Sequence, residues 1–119
     1  MTLARGREAE DRALAYLRAH GLELVARNYR CPRGEIDLVM REDDTLVVVE
    51  VRYRRGTSHG SAFESVDARK QARIIRATEH FLAIHGGLRN LRFDVMALSD
   101  DGGRERIDWL RDAFRPSAR

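Results

Sequence analysis

Alternating apolar and polar residues mark two neighbouring strands in the first half of the chain. The strands are GEIDLV at residues 34–39 and VVVEVR at residues 47–52, separated by a turn at Asp43 and Asp44. Folding the chain about this turn places Asp37 opposite Glu50 and Glu35 opposite Arg52. The pattern therefore predicts an antiparallel hairpin that carries a carboxylate pair, although an odd loop with a bulge would stagger it.

A period of 3.6 residues predicts a first helix from about Arg5 to His20, ended by Gly21. Its inward stripe consists of Ala13, Leu14, Leu17 and one charged residue, Glu10. Carboxylates are rarely buried without a partner. Glu10 is therefore either a functional group or an ion-pairing residue at the edge of the core.

A second helix is predicted to start after Asp67, which suits an N-cap, and to run to His85, where Gly86 and Gly87 end it. The residues expected to face inward are Ile74, Thr78, Phe81 and Leu82, and those expected to face outward are Arg69, Arg73 and Arg76. This helix should therefore cover the sheet with one face and present arginines on the other.

The remaining segments complete the expected fold. They are strands at 22–30 and 91–98, turns at 31–34 and 100–103, a mobile loop at 54–61 and a short strand or helix at 107–110. The order of elements predicts an α/β sandwich of two or three layers around one central mixed sheet. We expect residues 1–114 to form a single domain and residues 115–119 to form a disordered tail.

Composition narrows the possible partners. Lys and Arg outnumber Asp and Glu by 22 to 19, a net charge of +3 that permits a nucleic-acid partner without requiring one. Cys31 is the single cysteine, which excludes an internal disulfide and a thiolate zinc cluster. The charged first residues and the lack of a long apolar segment predict a cytoplasmic protein without a membrane span.

The predicted carboxylate pair needs a compensating charge, because like charges directly opposed on a sheet are destabilising. Mg²⁺ is held by one or two carboxylates together with waters and substrate phosphates. Alternatively, Asp37 and Glu50 each pair with an arginine such as Arg52 or Arg92 as ordinary strand residues. Asp94 is expected to be a structural partner of an arginine.

Taken together, the motifs resemble two related groups of proteins. Glu10, GEID at 34–37 and EVR at 50–52 resemble the PD-(D/E)xK nuclease superfamily, in particular the archaeal Holliday-junction resolvases. A wider set of segments is similar to the uncharacterised bacterial YraN family: 6–17, 27–30, 34–38, 49–52, 66–70, 92–95 and 112–114. The resemblance implies a restriction-endonuclease-like fold and a Mg²⁺- or Mn²⁺-dependent endonuclease acting on structured or branched DNA. A homodimer is expected by analogy with the resolvases.

The resemblance also implies roles for individual residues. Asp37 and Glu50 would bind the metal, Glu10 would support it, and position 52 would position or activate the attacking water. Arg52 stands where the family has lysine, and arginine cannot act as a general base. It is still suited to holding a phosphate and stabilising developing charge. Lys70, the only lysine in the chain, is the candidate for a relocated catalytic lysine or else a solvated helix residue.

Arginines near the carboxylates are predicted to bind phosphate. This set consists of Arg52, Arg54, Arg55, Arg69 and Arg73. Two alternatives to an endonuclease remain. One is a nucleic-acid-binding module of the same fold that lacks turnover because of Arg52, and the other is a protein-interaction domain.

A rival motif is GTSHG at residues 56–60, which matches the G-x-S-x-G nucleophile elbow of serine hydrolases. That elbow requires a helix directly after the serine, and none is predicted after Ser58. The chain is also short for such a fold. The match is therefore interpreted as a coincidence within a loop.

Overall fold

Three helices and five strands follow one another along the part of the chain that the structure describes. The computed structural model describes residues 2–55, 59–86 and 90–116. The helices are α1 (Thr2–Ala19), α2 (His59–Glu64) and α3 (Ala68–His85), and the strands are β1 (Glu23–Cys31), β2 (Gly34–Glu42), β3 (Thr45–Arg55), β4 (Asn90–Asp101) and β5 (Arg104–Phe114). None of these helices is long and apolar enough to cross a membrane.

The strands of the described segments form one mixed sheet in the order β1-β2-β3-β4-β5. β3 and β4 are parallel, and every other neighbouring pair is antiparallel. A parallel pair needs a long crossover connection, and the segment that contains α2 and α3 provides it. The predicted mixed sheet is confirmed.

Apolar clusters on both faces of the sheet produce three layers. The cluster beneath α1 contains Ala13, Leu14 and Leu17 with Leu38, Met40, Val47 and Val49. The cluster beneath α3 contains Ile74, Ala77 and Phe81 with Ile36, Val39, Val48 and Val95. The protein is therefore a three-layer α/β sandwich of the restriction-endonuclease-like class, as the sequence predicted.

Both long helices end where their sequence signals predict. Gly21 after α1 has a φ of 95°, a left-handed conformation that suits glycine. The Asp67 side chain caps α3 by accepting a hydrogen bond of 2.9 Å from the main-chain N–H of Lys70. At the other end, the N–H of Gly86 donates to the carbonyl of Leu82.

The loop predicted at residues 54–61 is wrong in part. β3 continues to Arg55, and α2 occupies His59–Glu64. Residues 56–58 lie outside the described segments. Ala62 and Val66 are almost fully buried, so tertiary packing stabilises a helix that the local preferences of glycine and serine do not predict.

This helix also removes one reason for rejecting the G-x-S-x-G match. A helix does begin at His59, directly after Ser58, so the expectation that none follows was wrong. The motif residues 56–58 are themselves outside the described part of the chain.

The C-terminal strand is longer than predicted. β5 spans Arg104–Phe114 and pairs with β4, whereas the sequence indicated only residues 107–110. Its burial does not alternate, because an edge strand that is mostly exposed has no single buried face. Arg115 and Pro116 follow it and are exposed, and the rest of the predicted tail, 117–119, lies outside the described residues.

Candidate functional site

The hairpin of β2 and β3 has the predicted register. Its ladder runs without a shift from the turn to the pair Leu38 and Val49, and it ends one pair before Asp37 and Glu50. At that point Asp37 Oδ2 accepts a hydrogen bond of 2.8 Å from the main-chain N–H of Val51. The Asp37 carboxylate thus takes the place of a ladder hydrogen bond where the two strands separate.

The separation has a local cause in β1. In the β1–β2 ladder Arg27 pairs with Leu38 and Tyr29 pairs with Ile36, which places Asn28 opposite Asp37. Asn28 has a left-handed φ of 55°. Strict alternation would put Ile36 and Leu38 on one sheet face, yet Ile36 packs beneath α3 and Leu38 beneath α1. The alternation therefore reverses at Asp37, and this break directs its carboxylate towards β3.

Glu50 lies beside Asp37 and between two cations. It is 4% exposed, and its Oε2 lies 3.4 Å from Arg52 Nη2 and 3.5 Å from Lys70 Nζ. The Asp37 and Glu50 side chains are also hydrogen-bonded to each other. The structure thus brings two carboxylates and two cations together where β2, β3 and the first turn of α3 meet.

The two carboxylates do not both ionise readily. Burial, with the negative charge of Asp37 as the second cause, raises the pKa of Glu50 to about 8, although Lys70 and Arg52 partly oppose this shift. Burial also raises the pKa of Asp37, and the Val51 N–H opposes that rise. In the absence of another cation the pair therefore holds a proton at neutral pH, with Glu50 donating to Asp37.

Glu10 reaches the edge of this site from α1. Burial is the main cause that raises its pKa, and the charge of Asp37 is the second. The Asn28 amide donates a hydrogen bond to Glu10, and Arg27 Nη2 lies 3.6 Å from Glu10 Oε1. Glu10 is thus near enough to Asp37 for the Asp37 charge to raise the pKa of Glu10, but Glu10 has a cationic partner of its own in Arg27.

A divalent cation fits the charges of the Asp37–Glu50 pair. Both side chains offer oxygen ligands, and a hard cation would replace the proton that the pair otherwise retains. Within the described residues no set of three or more His, Cys, Asp or Glu side chains is arranged to hold a metal ion. A metal here would therefore be held by Asp37 and Glu50, with water or phosphate as the other ligands, while Glu10 remains a neighbour.

The arginines predicted to bind phosphate are placed differently from one another. Arg52 contacts Glu50, and Arg69 and Arg73 are exposed on the outer face of α3. Arg54 is half-buried and donates to the Tyr53 carbonyl. The side chain of Arg55 lies outside the described structure.

Other ion-pair predictions have mixed outcomes. The predicted register places Glu35 opposite Arg52, but Glu35 contacts Arg30 on β1, with Glu35 Oε1 3.5 Å from Arg30 Nε, so that placement is wrong. The reason is that β2 and β3 separate before Glu35, so β1 is its neighbouring strand. The prediction that Asp94 is a structural partner of an arginine is confirmed, because Arg92 Nε donates to it at 2.9 Å.

Sequence reasoning missed the contribution of β1. Arg27 and Asn28, the two residues that contact Glu10, were noted only as part of a family motif. An asparagine inside a strand was the available signal, because asparagine tolerates the left-handed conformation better than most residues.

Comparisons with known proteins agree with the motifs. The model of a family described as "Uncharacterised protein family UPF0102" matches residues 9–98. A UPF0102 protein of Nitrosococcus oceani is 49% identical over 113 residues, which cover 93% of this chain and 91% of that protein. One of Cupriavidus taiwanensis is 53% identical over 116 residues, covering 97% and 86%. One of Stutzerimonas stutzeri is 50% identical over 111 residues, covering 92% of each. The chain therefore belongs to the UPF0102 family, also called YraN, and the resemblance of its motifs to that family is confirmed.

Proposed function

We propose that the protein is a metal-dependent endonuclease that hydrolyses phosphodiester bonds of structured or branched DNA. The observation that carries this proposal is the pair of half-buried Asp37 and buried Glu50, with Arg52 and Lys70 each within 3.5 Å of Glu50. Two carboxylates suit a divalent cation, and two cationic side chains suit a phosphate. A restriction-endonuclease-like fold and the motif spacing support the same reaction class.

Each residue of the site has a role that follows from its contacts. A Mg²⁺ or Mn²⁺ ion held by Asp37 and Glu50 would neutralise phosphate charge and make water acidic enough to attack at neutral pH. The Val51 N–H fixes the orientation of Asp37. Arg52 holds the non-bridging oxygens of the phosphate and stabilises charge that develops there. Lys70 approaches from α3 to hold the same phosphate and orient the attacking water.

A second candidate is a nucleic-acid-binding module of the same fold without turnover. The observation that favours it is that Arg52 and Lys70 both already pair with Glu50. These contacts supply positive charge beside Glu50 without a metal, and Arg52 cannot accept the proton of water. In this alternative the cations bind phosphate and the carboxylates orient the cations.

Cleavage of defined DNA substrates separates these functions. The purified protein is incubated with junction, flap, single-stranded and duplex DNA in Mg²⁺, in Mn²⁺ and in chelator. We expect cleavage that requires metal, is lost in Asp37→Asn and Glu50→Gln, and persists in Glu35→Gln. Glu35→Gln is the matched control, because it removes one negative charge from β2 outside the pair.

The negative outcomes are equally informative. DNA binding without cleavage in either metal contradicts the endonuclease and supports the binding module. If the protein neither binds nor cleaves DNA, both nucleic-acid functions fail and a protein-interaction domain remains.

A further inference from the structure

The outer face of α3 carries three exposed arginines, Arg69, Arg73 and Arg76. Their spacing of four and then three residues aligns them along one side of the helix. None of them forms an ion pair with a carboxylate in the described part of the chain. We call these three residues the arginine stripe.

Unpaired arginines are not a general consequence of an arginine-rich chain. Most other arginines whose side chains are described are paired with acids, among them Arg12 with Glu105, Arg41 with Glu23, Arg92 with Glu42, Arg106 with Asp108, and Arg115 with Asp112. The exposed arginines without such a partner outside α3 and the β1–β2 turn, Arg7, Arg18 and Arg104, are scattered over α1 and β5 and do not form a row. Like charges four residues apart on a helix destabilise it slightly. The stripe therefore carries a repulsion that an external anion would relieve.

The turn between β1 and β2 adds a fourth cation beside the stripe. A Cβ atom at Gly34 would lie 2.5 Å from the main-chain oxygen of Arg73, so glycine allows this turn to pack directly on α3. The preceding residue, Arg33, is exposed and has no ion pair among the described residues. The close packing therefore places a fourth unpaired arginine next to the middle of the stripe.

The stripe starts beside the carboxylate site. Lys70, the neighbour of Arg69 in the first turn of α3, contacts Glu50. From Arg69 to Arg76 the helix rises by about 10 Å, which matches about three phosphates of one duplex strand at about 3.4 Å of axial rise each. The row of positive charge therefore continues from the site for several nucleotides.

We infer that the arginine stripe and Arg33 bind the phosphate backbone of one strand of a nucleic-acid duplex that leaves the carboxylate site along α3. This inference deepens the proposed function, on which it rests for the position of the scissile phosphate. It specifies a substrate with a duplex arm next to that phosphate, so mononucleotides and short phosphate esters lack most of the binding contacts.

The test measures how tightly the protein binds a labelled 20-base-pair duplex, by fluorescence anisotropy over a series of salt concentrations. Chelator is present throughout, so that metal-dependent cleavage does not interfere. The stripe variant is Arg69→Gln/Arg73→Gln/Arg76→Gln. The matched control is Arg18→Gln/Arg104→Gln/Arg106→Gln, which removes three exposed arginines from α1 and β5. Thermal unfolding of both variants confirms that they are folded.

We expect the stripe variant to lower the slope of log K against log salt by about three, and Arg33→Gln to lower it by about one more. The control should change the slope by less than one. Equal losses in the stripe variant and the control overturn the inference, because net charge alone then explains binding. Polyglutamate is the competing ligand. If it binds the wild-type protein as tightly as DNA does, and binds the stripe variant more weakly, the inference is overturned in favour of an acidic protein partner.

The inference and the proposed function fail in different ways. If the stripe variant cleaves DNA as fast as the wild-type protein at physiological salt, the inference about the arginine stripe is overturned, while the proposed endonuclease activity stands. Binding through the stripe by a wild-type protein that does not cleave DNA contradicts the endonuclease and supports the stripe.

Discussion

The Asp94 carboxylate and the Asp37–Glu50 pair differ in how completely hydrogen-bond donors compensate their charge. Asp94 is 0% exposed. It accepts four hydrogen bonds, from Arg92 Nε at 2.9 Å and Nη2 at 3.0 Å, from Trp109 Nε1 at 2.9 Å and from the Asp112 N–H at 2.9 Å. Each partner is a donor, so Asp94 is stable as a carboxylate in the core.

The Asp37–Glu50 pair lacks such compensation, although Glu50 is buried and Asp37 is half-buried. Each carboxylate faces the other, and the two cations stand at 3.4 and 3.5 Å from Glu50, beyond the usual hydrogen-bond distance. The raised pKa of Glu50 expresses this deficit. A carboxylate in the core is therefore structural when hydrogen-bond donors satisfy both of its oxygens, and it is available to bind a ligand when they do not.

Removing either carboxylate of the pair should have the largest effect on function. We expect Asp37→Asn and Glu50→Gln to lower the DNA cleavage rate by at least about 10²–10³, because each removes a carboxylate to which the proposed mechanism assigns the metal ion. The free energy of unfolding should change little, since glutamine at position 50 still donates to Asp37 and asparagine at position 37 still accepts from the Val51 N–H. Retained cleavage in both variants, measured alongside wild type, would contradict the metal site.

Removing Asp94 should instead damage stability. We expect Asp94→Ala to lower the free energy of unfolding by about 3–5 kcal/mol, because Arg92 is left half-buried and lacks its main partner. Glu105→Ala, which breaks the exposed pair with Arg12, should cost at most about 1 kcal/mol. Denaturant unfolding of both variants measures the two changes in the free energy of unfolding. Equal decreases in the two variants would show that Asp94 does not stabilise the core more than a surface ion pair does.

Changing the two cations beside Glu50 should separate their roles. We expect Lys70→Ala to lower the cleavage rate at saturating DNA by about 10², since it removes an electrostatic stabiliser. Arg52→Lys should preserve or raise the rate, because lysine keeps the charge. Arg104→Ala serves as an exposed control on β5. A Lys70→Ala rate equal to wild type would indicate a solvated helix residue, and cleavage gained only in Arg52→Lys would favour the binding module.

The smallest effect concerns pH in the metal-free protein. A folded-state pKa of about 8 for Glu50, above the ordinary value of 4.5, means that the folded state holds a proton that the unfolded state has released. Stability in chelator should therefore fall as pH rises, by about 1 kcal/mol between about pH 7 and pH 9. Glu50→Gln should remove this dependence, whereas an unchanged dependence would show that another group titrates.

Local patterns in the sequence determined much of the fold. The hairpin register and the ends of α1 and α3 depend on residues close together in the chain, so alternation, helical period and capping residues predict them. The same patterns did not predict α2 or the full length of β5, because burial against distant elements decides those segments. Family membership also followed from the sequence, since it rests on residue identities.

The arrangement of the site was decided by tertiary structure. Asp37 and Glu50 were identified from the hairpin alone, but the strand separation that directs Asp37 to the Val51 N–H depends on Asn28 in another strand. Lys70 meets Glu50 only because the crossover carries α3 back over the sheet. Whether an arginine is paired or free likewise depends on which acid the fold brings near it. Residue types and their spacing thus determined the available chemistry, while contacts between distant segments decided which charges are compensated.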